Sequence, residues 1–415
     1  MNRYQNILGH INYSLFLAIV ALLPFPQIFL RYACVLWIIT WALEGRWLNK
    51  PKSLKKNKIA IPFILFGLWY AWRALSWFWA PDHAAWGWQM ERYLTFMLIV
   101  PVGIWGLNAC YNWRTAGKVL VSSCVIAIPV YITIMMTFYY HREILDHLQW
   151  IGGPWNYDTP NWYIFFAENI SHLKHRLFLC SVELFGIFIA SQVFKEKKWL
   201  SAVLILLMLS VILLTGSRQA ILTAAGLMAI GLLCELPKRF RLRYGLGILL
   251  LGIILGGGLL KLHPRMQNFD ITDLSEIREI NPEHDVRLNI WGVALQHPSD
   301  YIWHGLGAGQ SSNYMLMLYQ EMGCDNYFKE GYNSHNQYLE ETIELGIFGM
   351  LFFLLAWLSI PFCAKGKGRP TAILLTTLYL LNMCTECMFG RFCGIALWSV
   401  GILFVFLQSD TERKE

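Results

Sequence analysis

Charged residues make up only 15% of this 415-residue chain, against about 25% in a soluble globular domain. That shortage excludes an ordinary water-soluble fold. A cleavable signal pattern is also missing. The first apolar run follows a short polar start and has no A-x-A-like exit, so it reads as a retained first helix. Internal repeats and low-complexity tracts are absent. Ionisable residues inside the apolar runs are few, chiefly Arg73 and Glu183. A transporter places such residues at the bilayer midplane and often has related halves, so both absences weigh against a carrier of lipid-linked sugars. The chain has ten cysteines, of which one pair has a spacing compatible with a redox or metal role. Cys34, Cys110, Cys124, Cys180, Cys234, Cys363 and Cys393 lie in or beside apolar runs, where Cys behaves as a small hydrophobe. Cys384 and Cys387 form a C-x-x-C pair with no histidine or second pair nearby, which favours core packing. Cys324 stands alone in a long polar stretch.

What is present points to lipid. Hydrophobic residues make up 56% of the chain, and there are 19 Trp, whose indole rings favour membrane interfaces. A helix crosses a bilayer with roughly 20 apolar residues. The runs 11–27, 28–45, 59–79, 93–110, 118–138, 175–194, 199–215, 219–236, 244–262, 338–363, 371–387 and 392–408 meet that need, about twelve in all. Only Pro24 and Pro26 part the first two. Arg73, inside the third, is expected to face protein or a wet cavity.

The net charge of +7 invites a nucleic-acid reading, which the distribution rejects. Arg46, Lys50, Lys52, Lys55, Lys56 and Lys58 follow the second run. Lys195, Lys197 and Lys198 follow the sixth; Lys238, Arg239, Arg241 and Arg243 the eighth; Lys365, Lys367 and Arg369 the tenth. All fall on one side, which the positive-inside rule makes cytoplasmic, with both termini. The fold class is therefore all-α, a polytopic inner-membrane protein. Its expected layout is helices one to nine in 1–262, a periplasmic cap in 263–337, and the last three helices in 338–415. The cap carries Val286, Ile290, Trp291, Val293 and Ala294 at helical spacing. It is read as folded, with at least one amphipathic helix on the membrane-domain surface.

Three side chains converge on the outer face. Arg218 sits in Thr215-Gly216-Ser217-Arg218, between two helices. Arg287 opens the amphipathic helix, and His335 lies in Asn333-Ser334-His335-Asn336 just before the tenth run. The arginine fork suits a phosphate, and a neutral histidine can take a proton from a hydroxyl. Together they suit a lipid-linked diphosphate whose growing charge the arginines neutralise. Each also has a plainer use: Arg218 as a headgroup anchor, Arg287 as a partner of Asp285 or Glu283, His335 as a helix cap. Gly305-x-Gly307-x-Gly309 lacks the spacing of a nucleotide fingerprint; a tight turn bringing the cap to the membrane domain accounts for it. Asp82, Glu91, Arg92, His172, Arg176, Glu386 and Arg391 share this face, suited to a polar cavity or to the interface. Of these, Arg92, Arg176, His172 and Arg391, with Asn336, are the expected substrate-binding residues.

Beyond these readings, the Thr-Gly-Ser-Arg turn, Arg287-x-x-x-Trp291 followed by His297-Pro298, the three spaced glycines, and Ser334-His335-Asn336 with Glu344-x-Gly346-x-x-Gly349 resemble the O-antigen ligase and polymerase family. The resemblance is strongest over residues 200–355, with Ser76-Trp77 to Asp82 a weaker echo. It implies a GT-C-like helical fold and an inverting, metal-independent glycosyl transfer needing no cofactor. The donor it implies is an undecaprenyl-diphosphate-linked glycan. Roles held for the family's histidine and arginines fall on His335, Arg287 and Arg218. In a ligase the acceptor is lipid A–core; in a polymerase, another lipid-linked repeat; in related protein O-oligosaccharyltransferases, a Ser or Thr. The second loop, 139–174, has few basic residues (Arg142 and Lys174), which tilts the reading to a ligase.

Overall fold

The computed structural model describes residues 3–45, 60–106, 111–141, 161–235 and 286–411, with isolated positions between them. The basic clusters at 46–58 and 238–243, most of the run 244–262, Cys110, Arg142 and the stretch 263–285 lie outside the described residues. The described residues form helices, turns and loops, with no strand among them. The helices are α1 Arg3–Leu22, α2 Gln27–Glu44, α3 Ala60–Leu75, α4 His83–Gly106, α5 Trp113–Tyr140, α6 Trp162–Leu173, α7 Arg176–Val193, α8 Lys198–Leu214 and α9 Arg218–Glu235. They continue with α10 Val286–Ala294, α11 Ser311–Glu321, α12 Asp325–Glu330, α13 Gln337–Cys363, α14 Gly368–Met383 and α15 Phe392–Thr411. Among the described residues, α1, α2, α5, α7, α13 and α15 are each long and apolar enough to cross a bilayer, and α8 is a shorter apolar helix. The chain is a polytopic all-α membrane protein.

Each expected run within the described residues coincides with a helix, and the differences have local causes. The first helix ends at Leu22, before the Pro24–Pro26 turn, and Lys174 secures that turn by donating to the carbonyls of Leu23 and Phe25, both at 3.0 Å. α4 begins at His83, ten residues before the expected 93, because Asp82 Oδ1 accepts from the amides of Ala84 (2.9 Å) and Ala85 (3.1 Å). These bonds hold the Asp82 carboxyl below its ordinary range. Most of the expected outer loop 80–92 is therefore helix. α6 lies within the expected loop 139–174. It is capped by Asn161, whose side chain accepts from the Ile164 amide at 3.0 Å, and it buries Phe165, Phe166, Ala167 and Ile170. At 12 residues and about 1.5 Å per residue it is too short to span.

The chain packs as two compact units, Met1–Lys50 with Trp105–Gln267, and Pro51–Ile104 with Asn268–Glu415. In the first, α5, α6, α7 and α8 share a core around Tyr131, Met135, Phe165, Leu179 and Val211. A polar knot joins α1 to α2: Asn12 Nδ2 donates to the Trp37 carbonyl (3.0 Å), and Trp37 Nε1 returns a bond to Asn12 Oδ1 (3.1 Å). In the second unit α3 packs along α13. Residues 286–336 form a small helical layer of their own. Its core joins Ile290 and Val293 of α10, Met315, Leu318 and Tyr319 of α11, and Ile343 of α13. This part of the expected cap is folded, with three helices.

Candidate functional site

Arg287 is the second residue of α10, and Trp291 follows one turn later on the same face. Each reaches out of its helix to a carbonyl. Arg287 Nε donates to Thr385 O (3.1 Å), and Trp291 Nε1 donates to Ser334 O (3.0 Å). The R-x-x-x-W spacing thus ties α10 to two loops at once, the one before α13 and the one between α14 and α15. Those loops also meet each other. Glu386 Oε1 stands 3.5 Å from His335 Nδ1, and Cys387 Sγ lies 3.4 Å from Ser334 Oγ. The run Thr385-Glu386-Cys387 therefore touches Arg287, His335 and Ser334 in succession. Burial pushes the Cys387 thiol well above its ordinary value, which suits the packing role expected of it.

His335 has φ of 43°, the one positive φ at a non-glycine among the described residues. A left-handed backbone at such a residue costs on the order of 1–3 kcal/mol and persists where its surroundings over-determine it. They do so here. Asn333 Oδ1 accepts from the His335 amide (3.0 Å), and Ser334 Oγ donates to Asn336 O (3.1 Å). Asn336 Oδ1 caps α13 by accepting from the amides of Tyr338 (3.0 Å) and Leu339 (3.1 Å). The cap is thus Asn336 rather than His335, which leaves the imidazole outside the helix. His335 is 25% exposed and Glu386 5%. With Nδ1 buried toward Glu386, Nε2 is the nitrogen placed for chemistry.

Beneath this lies a buried ionic support. Arg73, fully buried, pairs with Glu341 at 2.7 Å and with Glu344, and its guanidinium lies 4.2 Å from the Tyr93 ring centre. It faces protein, as expected of an arginine in an apolar helix. Glu344 Oε1 also accepts from the Gly309 amide at 3.0 Å. The glycine stretch docks on α13 at a break in the helix. Gly346 is non-helical, with φ of 66°. Ile347 N donates to Ile302 O (2.7 Å), while Leu306 N and Gly307 N take the carbonyls of Ile343 and Glu344 (both 2.8 Å). Gly305, Gly307 and Gly309 all have positive φ, and a methyl on Gly305 would strike the Glu344 backbone. The expected tight turn is therefore a loop inserted into the hydrogen-bond ladder of α13.

The other expected residues are distributed over both units. In the second, Arg92 is half-buried on α4, its guanidinium 3.7 Å over the Trp88 ring. Arg391 is exposed at the start of α15. In the first unit Arg218 is the half-buried first residue of α9. Gly216, with φ of 56°, turns the chain between α8 and α9, and Ser217 Oγ accepts from the Ala220 amide at 3.4 Å. Arg176 donates to the Ala167 carbonyl at 3.1 Å and so closes the α6–α7 turn. The His172 ring packs 4.7 Å from that of Trp155.

Sequence reasoning grouped Glu386 with the expected outer-face residues without giving it a partner. Only its acidity between two apolar runs signalled it. Residues 203–354 match the family described as O-antigen ligase. The matched span holds Arg218, Arg287, His335 and the Glu344–Gly349 motif, and stops before Glu386. No curated protein matches the chain. Over residues 203–354, and not over the remainder of its length, the chain is similar to the O-antigen ligase family.

Proposed function

We propose that the protein is an O-antigen ligase of the bacterial inner membrane, working at the periplasmic face. It transfers a glycan from undecaprenyl diphosphate to a sugar hydroxyl of lipid A–core. The acceptor oxygen attacks the anomeric carbon, the bond from that carbon to the diphosphate breaks, and configuration inverts. His335 Nε2 takes the hydroxyl proton as the new bond forms. Glu386, 3.5 Å from Nδ1, draws in to accept from Nδ1–H as the imidazolium forms, fixing the tautomer and stabilising the charge. Arg287 neutralises the departing diphosphate, aimed by its bond to Thr385 O. Arg218 is assigned to the same diphosphate by family resemblance alone. Arg92, Arg391, Arg176, His172 and Asn336 remain proposed substrate contacts. For Asn336 the amide nitrogen is the group to test, since its oxygen caps α13.

The observation that carries this reading is the single run Thr385–Glu386, which holds both Arg287 and His335. The test is surface lipopolysaccharide in a deletion strain complemented with wild type, His335→Ala, Arg287→Ala or Arg218→Ala, with membrane expression checked. Wild type is expected to restore long chains on core. His335→Ala is expected to leave bare core with accumulated lipid-linked glycan, a loss of about 10²–10⁴-fold in transfer. A deletion that leaves long chains on core would remove lipid A–core as the acceptor. A ladder shortened to one capped unit would instead identify a polymerase.

A further inference from the structure

The outer surface of the α3–α13 pair carries a second message. Ile61, Ile64, Leu68 and Leu75 of α3 are all exposed, and at helical spacing they fall within roughly a quarter of the circumference. Phe348, Leu351, Leu355, Leu358 and Phe362 do the same on α13. The two strips adjoin where the rings of Trp72 and Phe348 meet, 6.2 Å apart. Exposed apolar strips on helices of a membrane protein face acyl chains.

At one end the strips run into two large exposed aromatics that belong to neither helix. Phe78, in the turn after α3, is 82% exposed, and Trp303, in the loop docked at Gly346, is 68% exposed. The two turns touch: Trp79 lies 5.9 Å from His304, and Ala308 N donates to Ser76 Oγ at 2.9 Å. The height of this junction can be measured along α13. From Phe362 to Gly346, where Trp303 docks, is about 24 Å at 1.5 Å per residue. The hydrocarbon core is about 30 Å thick. With Phe362 near one edge of that core, Trp303 comes within about 6 Å of the other, close to the boundary between acyl chains and headgroups where indole is most favourable.

We infer that Trp303 and Phe78 are seated in the bilayer interface and anchor the helical layer 286–336 to the lipid surface. The occupant is the headgroup–acyl boundary, since the patch continues apolar strips that run along two helices of a membrane protein. Trp303 belongs to the loop that takes the carbonyls at the α13 break, so its depth sets the height of the loop supporting the site. The inference needs the membrane reading but not the ligase reading.

The test uses the full chain labelled with 5-fluorotryptophan in single-copy nanodiscs. The fluorine resonance lost in Trp303→Phe identifies Trp303, and Phe78→Trp adds a resonance at the second position. Both are expected to broaden at least about threefold more with a nitroxide at acyl carbon 5 than with a water-soluble gadolinium chelate. Broadening by the chelate alone would overturn the proposal and mark a water-facing platform. So would insensitivity to both agents, which would mark a protein contact, or a shift on adding free glycan. Trp303→Phe keeps an aromatic, and Phe78 is exposed, so neither change threatens the fold.

Discussion

Glu386 is a carboxylate almost fully withdrawn from water whose oxygen faces Nδ1 of His335 at 3.5 Å. A base that becomes an imidazolium during transfer gains from such a partner; losing the partner that orients a metal-bound histidine costs about 10–100-fold, and a loss of that order is expected here. Glu386→Gln is expected to lower kcat by that factor with little change in KM, and Glu386→Asp to recover part of the loss. Purified protein assayed on lipid-linked glycan and lipid A–core checks this. Equal losses in Gln and Asp variants with unchanged yield would remove Glu386 from the proton's path. The chemical types of His335, Arg287 and Arg218 were readable because phosphate and proton transfer draw on few side chains. The role of Glu386 was not, because its partner lies 51 positions away in the chain and no local spacing links them.

At the scale of elements, the helix α13 has two parts joined at Gly346, and the loop 302–307 fills the break. The reason glycine stands there is steric as well as conformational. A methyl at Gly346 would run into the Trp303 carbonyl, whereas at Gly331, which also has positive φ (63°), nothing lies within 4 Å. Gly331→Ala is expected to cost about 1 kcal/mol from backbone strain alone. Gly346→Ala adds overpacking of about 1–3 kcal/mol, for a clearly larger fall in thermal midpoint in detergent. Equal falls would mean that the loop does not press on α13. Most helices were legible because apolar runs and proline breaks act locally. The early start of α4 rests on one capping aspartate. α6 escaped notice because Glu168, Asn169 and His172 interrupt its apolar run.

For the whole molecule, the second unit is organised around a charge. Arg73 is buried between Glu341 and Glu344, and Gln89 Nε2 reaches Glu344 Oε1 at 3.3 Å. Removing one partner of a buried pair leaves an uncompensated charge, at a cost of about 3–5 kcal/mol. Arg73→Met is expected to aggregate on solubilisation, and combining it with Glu341→Gln and Glu344→Gln to restore a monodisperse protein. Size-exclusion profiles after mild heating compare them. A triple variant no better than the single would show that the arginine matters for more than charge balance.

Hydropathy, charge distribution and local caps sufficed for the membrane class, the position of the described helices, the choice of candidate side chains and the family resemblance. These depend on neighbours within a turn or two, or on transfer from water to lipid, which each segment expresses by itself. The tertiary structure alone decided that Thr385 and Glu386 meet Arg287 and His335, that Arg73 answers Glu341 and Glu344, and that a glycine loop enters the break in α13. Such contacts join residues from about forty to more than two hundred and fifty positions apart. They form because buried charges and broken hydrogen-bond ladders must find partners, and which partners are within reach depends on how the helices pack.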